Sequence, residues 1–180
     1  MTSPAPILVG KIGSLFWMRV EGKGSFQNSV QVKRCLQTMM DQGSRHFVID
    51  LERCPIMDST FLGTLTGAAL HLRELGDGEV SILNANARNK QLLSNLGLDH
   101  ILDVDSNGSR HVVERKQVSD ELDACLEPTP CSKTEQAEHV LEAHEALTQA
   151  NESNVSRFKD VIEFLEKEVQ EKTAAAASGH

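Results

Sequence analysis

The residues of this sequence best placed to do chemistry are Asp58-Ser59-Thr60, followed at once by Phe61-Leu62-Gly63. On type alone they read as a helix start, because an Asp or Ser side chain there accepts from the first-turn N–H groups. The same place suits a removable charge, since a phosphate at a helix N-terminus meets free N–H groups and the positive end of the dipole. Ser59 and the neighbouring Thr60 are the two hydroxyls there that could accept one.

Other candidates fail on spacing. Gly10-Lys11-Ile12-Gly13 and Gly22-Lys23-Gly24 form neither a P-loop nor a dinucleotide fingerprint and read as turns. His144-Glu145 opens like a zinc-protease motif, but Thr148 stands where the second histidine is needed. His139 and His144 lie five apart, off a common helix face, and are expected to be solvated surface residues. No Gly-x-Ser-x-Gly elbow occurs. Cys35, Cys54, Cys125 and Cys131 lack the close spacing of a zinc site, so the first two are expected as small buried hydrophobes in a reducing cytosol. The Asn-x-Ser triplets at Asn107 and Asn151 carry meaning only in a secreted chain. The expectation is therefore a binding protein rather than an enzyme, with no cofactor and no metal.

The elements that must hold the Asp58–Gly63 turn follow from periodicity. Ile7–Val9 and Leu15–Val20 read as short strands separated by Gly10 and Gly13, the second with strict alternation. Asn28 or Ser29 caps a helix reaching about Gln42. Phe47–Leu51 is a branched apolar run suited to a strand buried on both faces. The turn follows it, and from Thr60 to about Leu75 apolar residues recur at helical spacing. Val80–Leu83 is a further strand, Asn86 caps a helix ended by Gly97, and Ile101-Leu102 reads as an edge strand. Strands alternating with helices of this length imply an α/β fold with a mostly parallel sheet.

Residues 1–126 are expected as this domain, with its core at about 7–105 and a helix in 112–126. Pro128 and Pro130 mark a linker over 127–132, and 133–172 reads as helix with a break at Asn151–Asn154. Val155, Phe158, Ile162, Leu165 and Val169 form a coiled-coil-like seam, out of phase with Val140, Ala143, Leu147 and Ala150, so a bend or two antiparallel helices is required. The stripe does not choose between self-association through 133–172 and packing back on the domain. Residues 173–180 read as a disordered tail or an expression remnant. The chain carries a formal net charge of −8, and 133–172 holds ten acidic against five basic residues. That balance argues against nucleic acid. The longest apolar runs are far too short for a membrane span and residues 1–8 lack a secretory signal, so a cytoplasmic location is expected.

Phe47–Leu51, the Ile56–Gly63 turn, the strand Val80–Leu83 and the Leu96-Gly97-Leu98 ending together resemble the STAS domain of bacterial anti-sigma factor antagonists, over roughly residues 7–105. The resemblance implies a STAS-like, small, mixed, mostly parallel sheet with helices, here followed by a helical extension outside the family pattern. It implies phosphorylation at Ser59, with Asp58, Ser59, Thr60, Phe61 and Leu62 at a partner interface. It also implies partner switching in transcription regulation: an anti-sigma serine kinase binds the dephosphorylated form, and a PP2C-type phosphatase resets it. The family commonly has a small residue where Phe61 stands, which implies a bulkier partner surface here. Two other readings remain: a structural STAS subunit that assembles a larger signalling complex through its C-terminal helices, and a nucleotide or small-ligand sensor, which lacks a phosphate loop.

Overall fold

A computed structural model describes residues 5–122, 124–127 and 130–179, without the side chains of residues 119–121 and 125. Residues 1–4, within the segment read for a secretory signal, Pro128 and Thr129 of the expected linker, Asp123 and His180 lie outside the described residues. The chain opens with an antiparallel hairpin, β1 (Ile7–Ile12) and β2 (Leu15–Val20), turned at Gly13 with φ +62°. β1 runs through Gly10, which pairs opposite Trp17, rather than stopping at Val9. Next come α1 (Phe26–Asp41), β3 (His46–Asp50), α2 (Ser59–Glu74), β4 (Glu79–Leu83) and α3 (Ala87–Asn95). The cap of α1 is Ser25, in a reciprocal capping box with Asn28, so the helix starts a turn before the residues expected to cap it.

A 3-10 turn at Leu98–His100 then leads into β5 (Asp103–Val104), α4 (Val112–Glu121) and β6 (Ala124–Cys125). The edge strand thus falls two residues after Ile101-Leu102, because the N–H groups of those residues close the 3-10 turn onto the Leu98 carbonyl. The helix expected over 112–126 stops at Glu121. Beyond it the chain adds β6 beside β1, with the Leu126 N–H donating to the Ile7 carbonyl at 2.8 Å.

The sheet has six strands in the order β5-β4-β3-β2-β1-β6. The β2–β3, β3–β4 and β4–β5 pairs are parallel, and both pairs made by β1 are antiparallel. One face carries Phe16, Met18, Phe47, Ile49, Val80 and Ile82 under α1, α2 and α3. The other carries Leu15, Trp17, Val48 and Leu83 under α4. β3 is therefore buried on both faces, as its unbroken apolar run requires. At its end Asp50, 1% exposed, accepts from Trp17 Nε1, Arg19 Nε, Asn84 Nδ2 and the Glu52 N–H, so this buried carboxylate is fully hydrogen-bonded.

The C-terminal extension forms two helices, α5 (Lys133–Ala150) and α6 (Ser153–Ser178), folded back on each other at Asn151-Glu152. α6 runs through the alanine-rich residues expected as a disordered tail, consistent with alanine being the strongest helix former. Within the expected seam Leu165 is buried, Phe158, Ile162 and Val169 are half-buried, and Val155 is exposed. The hairpin packs on the sheet domain: Leu147 is fully buried in the main core, against which Ala150 and Phe158 also pack. Among the described residues no helix is long and apolar enough to cross a membrane.

Candidate functional site

The turn after β3 is held by backbone pairing with the loop before α1. Gly24 and Met57 form a parallel bridge; the Gly24 N–H donates to the Ile56 carbonyl at 3.0 Å and the Asp58 N–H to the Gly24 carbonyl at 2.8 Å. This brings two helix starts to one carboxylate. Asp58 Oδ1 accepts from the Phe61 N–H and Oδ2 from the Phe26 N–H, both at 2.9 Å, so Asp58 caps α2 and also the first residue of α1. A negative charge between two helix N-termini is in a favourable field.

Ser59 is the first residue of α2 and is half-buried. Its Oγ lies 3.0 Å from His144 Nε2. The other ring nitrogen, Nδ1, lies 2.8 Å from the Val140 carbonyl, which can only accept. The proton is therefore assigned to Nδ1, and Nε2 accepts from the Ser59 hydroxyl. A serine–histidine pair is also the start of an acyl-transfer site. Here, however, Nδ1 faces the Val140 carbonyl and Asp58 is committed to its two N–H groups, so neither supplies the carboxylate that a Ser-His-Asp triad sets behind the imidazole.

Beside Ser59 opens a groove of about 380 Å³, lined by Leu62, Leu92, Asn95, Leu96, Arg157 and Phe158. Arg157 spans its rim by donating to the Asn95 carbonyl at 3.0 Å, and the Phe158 ring meets the edge of His144 at a centroid distance of 5.4 Å.

The remaining expected site residues separate from the surface. Thr60, the alternative acceptor, is only 5% exposed. Phe61 and Leu62 are fully buried. The Phe61 ring lies over Gly24, where an added Cβ would stand 2.8 Å from a ring carbon, so the bulk expected on a partner surface is taken up inside the fold.

His139 and His144 are both 4% exposed, which corrects the expectation of solvated side chains. The reason is the close approach of α5 to α2. A Cβ at Gly63 would stand 2.1 Å from the Ala143 carbonyl oxygen, and one at Gly67 would stand 3.7 Å from the Ala146 Cβ. This glycine track lets the backbones meet and carries both imidazoles under cover. His139 Nε2 lies 2.9 Å from Ser29 Oγ and 3.2 Å from Thr64 Oγ1. Burial, aided by Lys33 and Arg34 and opposed by Glu142, pushes its pKa down to about 4. His144 could have been found in the sequence, because it sits four after Val140 and three before Leu147 on the apolar stripe. The glycine track Gly63-x-x-x-Gly67 was the matching signal on α2.

The thiols follow burial: Cys54 is buried and Cys35 half-buried, and desolvation raises both, Cys35 to about 11. Among the described residues no group of three or more His, Cys, Asp or Glu side chains is placed to share a metal ion.

No curated protein matches the chain. Solved structures similar to it include a Thermotoga maritima protein described as an anti-sigma factor antagonist, 16% identical with a TM-score of 0.54 over 61% of this chain and 94% of that one. An anti-sigma factor antagonist from Mycobacterium paratuberculosis is 15% identical, with a TM-score of 0.52 over 67% of this chain and 98% of that one. The anti-sigma factor antagonist SpoIIAA in its unphosphorylated form is 16% identical, with a TM-score of 0.50 over 62% and 97%. At these identities the likeness is one of fold. The STAS domain model matches residues 7–114, more than half of the chain and all of the sheet except β6; the chain belongs to the STAS domain family.

Proposed function

We propose that the chain is an anti-sigma factor antagonist-like switch, controlled by phosphorylation of Ser59 and acting through an anti-sigma serine kinase and a PP2C-type phosphatase. The observation that carries this reading is the Ser59 hydroxyl on the first residue of α2, at the carboxyl end of β3, where α/β folds place functional groups. The kinase would transfer the γ-phosphoryl group of ATP to Ser59 Oγ. The bond from phosphorus to ADP breaks, the Oγ–P bond forms, the hydroxyl proton leaves to a base, and ADP departs.

The added charge is about −1.5 to −2 at pH 7. At two converging helix N-termini the fold tolerates it, whereas against a docked partner and next to Asp58 it costs desolvation and repulsion. A penalty of about 3 kcal/mol is roughly a hundredfold in affinity. Thr60 is the weaker acceptor, being nearly covered. The test is binding to the anti-sigma serine kinase of the same cells, with Ser59→Ala retained and Ser59→Asp released. Equal binding of the two refutes the switch.

A second reading, a structural subunit that assembles through its C-terminal helices, draws on Val155, Val161 and Phe164, which are 52%, 41% and 67% exposed on α6. Light scattering that finds only monomer at high concentration removes it.

A further inference from the structure

We propose that the α5–α6 hairpin is an intramolecular lid on the Ser59 face of α2, which must swing away before a partner docks or Ser59 receives a phosphate. The inference rests on the reading of Ser59 as the phosphate acceptor and adds its regulation. The first observation is occupancy. A phosphorus atom must come within about 3–3.5 Å of Ser59 Oγ, in line, for transfer. On one side of that oxygen, at 3.0 Å, stands His144 of α5. The groove beside it is lined in part by Arg157 and Phe158 of α6, and Phe158 packs on His144. Both elements of the hairpin thus border the hydroxyl, whose hydrogen bond is donated to His144.

The second observation is the nature of the covered face. Beneath α5, helix α2 presents Ser59, Gly63, Thr64 and Gly67, small or hydroxyl-bearing residues rather than an apolar stripe. Such a face loses less on exposure to water than Phe61, Leu62 and Leu65, which are fully buried. The STAS match ends at residue 114, before the hairpin begins, so the covered surface is one that the family fold completes without α5 and α6.

The third observation is how the lid is held. Its deepest anchor is Leu147. Beside it Asn154, fully buried, donates to the Leu96 carbonyl at 2.9 Å and to the Leu147 carbonyl at 2.8 Å, and at the rim lie the exposed ion pairs Lys33–Glu142 and Arg34–Glu135. Exposed ion pairs contribute little each, so closure rests on the α2–α5 contact, on Leu147, Ala150 and Phe158 against the core, and on Asn154.

The same geometry supplies a reversible lock. Cβ atoms at positions 67 and 146 would stand 3.7 Å apart, close to the separation of about 3.8 Å found in disulfides. The chain carrying Gly67→Cys/Ala146→Cys is incubated, oxidised or reduced, with ATP and the purified anti-sigma serine kinase of the same cells, and phosphate on Ser59 is followed by mass spectrometry. The unmodified chain is run in both buffers to correct for effects on the kinase. An open form populated at about a tenth or less predicts a roughly tenfold or greater rate difference between the locked chain and the His144→Ala variant. The reduced lock is expected to recover the rate of the unmodified chain. Equal rates for locked, reduced and His144→Ala chains overturn the lid and leave Ser59 as the acceptor. Absence of phosphate from every form overturns the switch reading and the lid with it.

Discussion

The approach of α5 to α2 makes a sharp contrast between two glycines one turn apart. Both lie inside α2, where replacing glycine by alanine contributes about 1 kcal/mol through helix propensity. At Gly67 the new methyl meets the Ala146 Cβ at 3.7 Å, an ordinary contact, so Gly67→Ala should raise the melting temperature by roughly 2–4 °C. At Gly63 it would stand 2.1 Å from the Ala143 carbonyl oxygen, 2.5 Å from its carbon and 2.9 Å from its Cα. Those atoms are backbone, and no rotamer change relieves the clash; α5 has to move by more than 1 Å. Overpacking costs about 1–3 kcal/mol, and a backbone clash belongs at the upper end. After the propensity gain, Gly63→Ala is expected to lose about 2 kcal/mol, so the two variants should differ by about 3 kcal/mol. Urea unfolding measures the difference, and amide exchange should show α5 losing protection in Gly63→Ala only. If Gly63→Ala stabilises the chain as Gly67→Ala does, with α5 still protected, the close contact is refuted.

Two further outcomes follow from single side chains. Asp58→Ala removes the caps of both Phe61 and Phe26 and should cost about 2 kcal/mol, with Asp58→Asn losing less; equal losses in urea titrations would argue against the double cap. His139 is held neutral with its pKa lowered from 6.5 to about 4, so between those values the unfolded chain binds a proton that the folded chain refuses. The stability present above pH 6.5 is therefore lost as pH falls toward 4, by up to roughly 3 kcal/mol. His139→Gln should flatten that slope, and an unchanged slope in the variant would assign it to other groups.

Much of the frame was legible because local physics sets it. The unbroken run Phe47–Leu51 reads as a strand covered on both sides, and Asn86 and Gly97 mark the ends of α3 as their backbone preferences require. The turn at Asp58-Ser59 reads as a cap for the same reason, and of the two residues the structure makes Asp58 the cap of α2. Short elements were less legible: β6 is two residues long and exists by pairing with β1, a partner more than a hundred residues away. The cap of α1 was misplaced because Ser25, Asn28 and Ser29 are all capping types, and only the reciprocal bonds of Ser25 and Asn28 choose among them.

For the site, the sequence by itself determined the hydroxyl, its flanking carboxylate and their place at the start of a helix, since these depend on residues adjacent in the chain. It also carried the amphipathic character of the extension, which is a matter of period. What covers Ser59 was decided by tertiary structure alone. An apolar stripe names no partner, and the choice of α2 as the seat of α5 depends on two backbones fitting together at Gly63, across eighty residues of sequence. The fit turns two histidines that look like surface residues into buried ones, and sets one of them on the hydroxyl of Ser59.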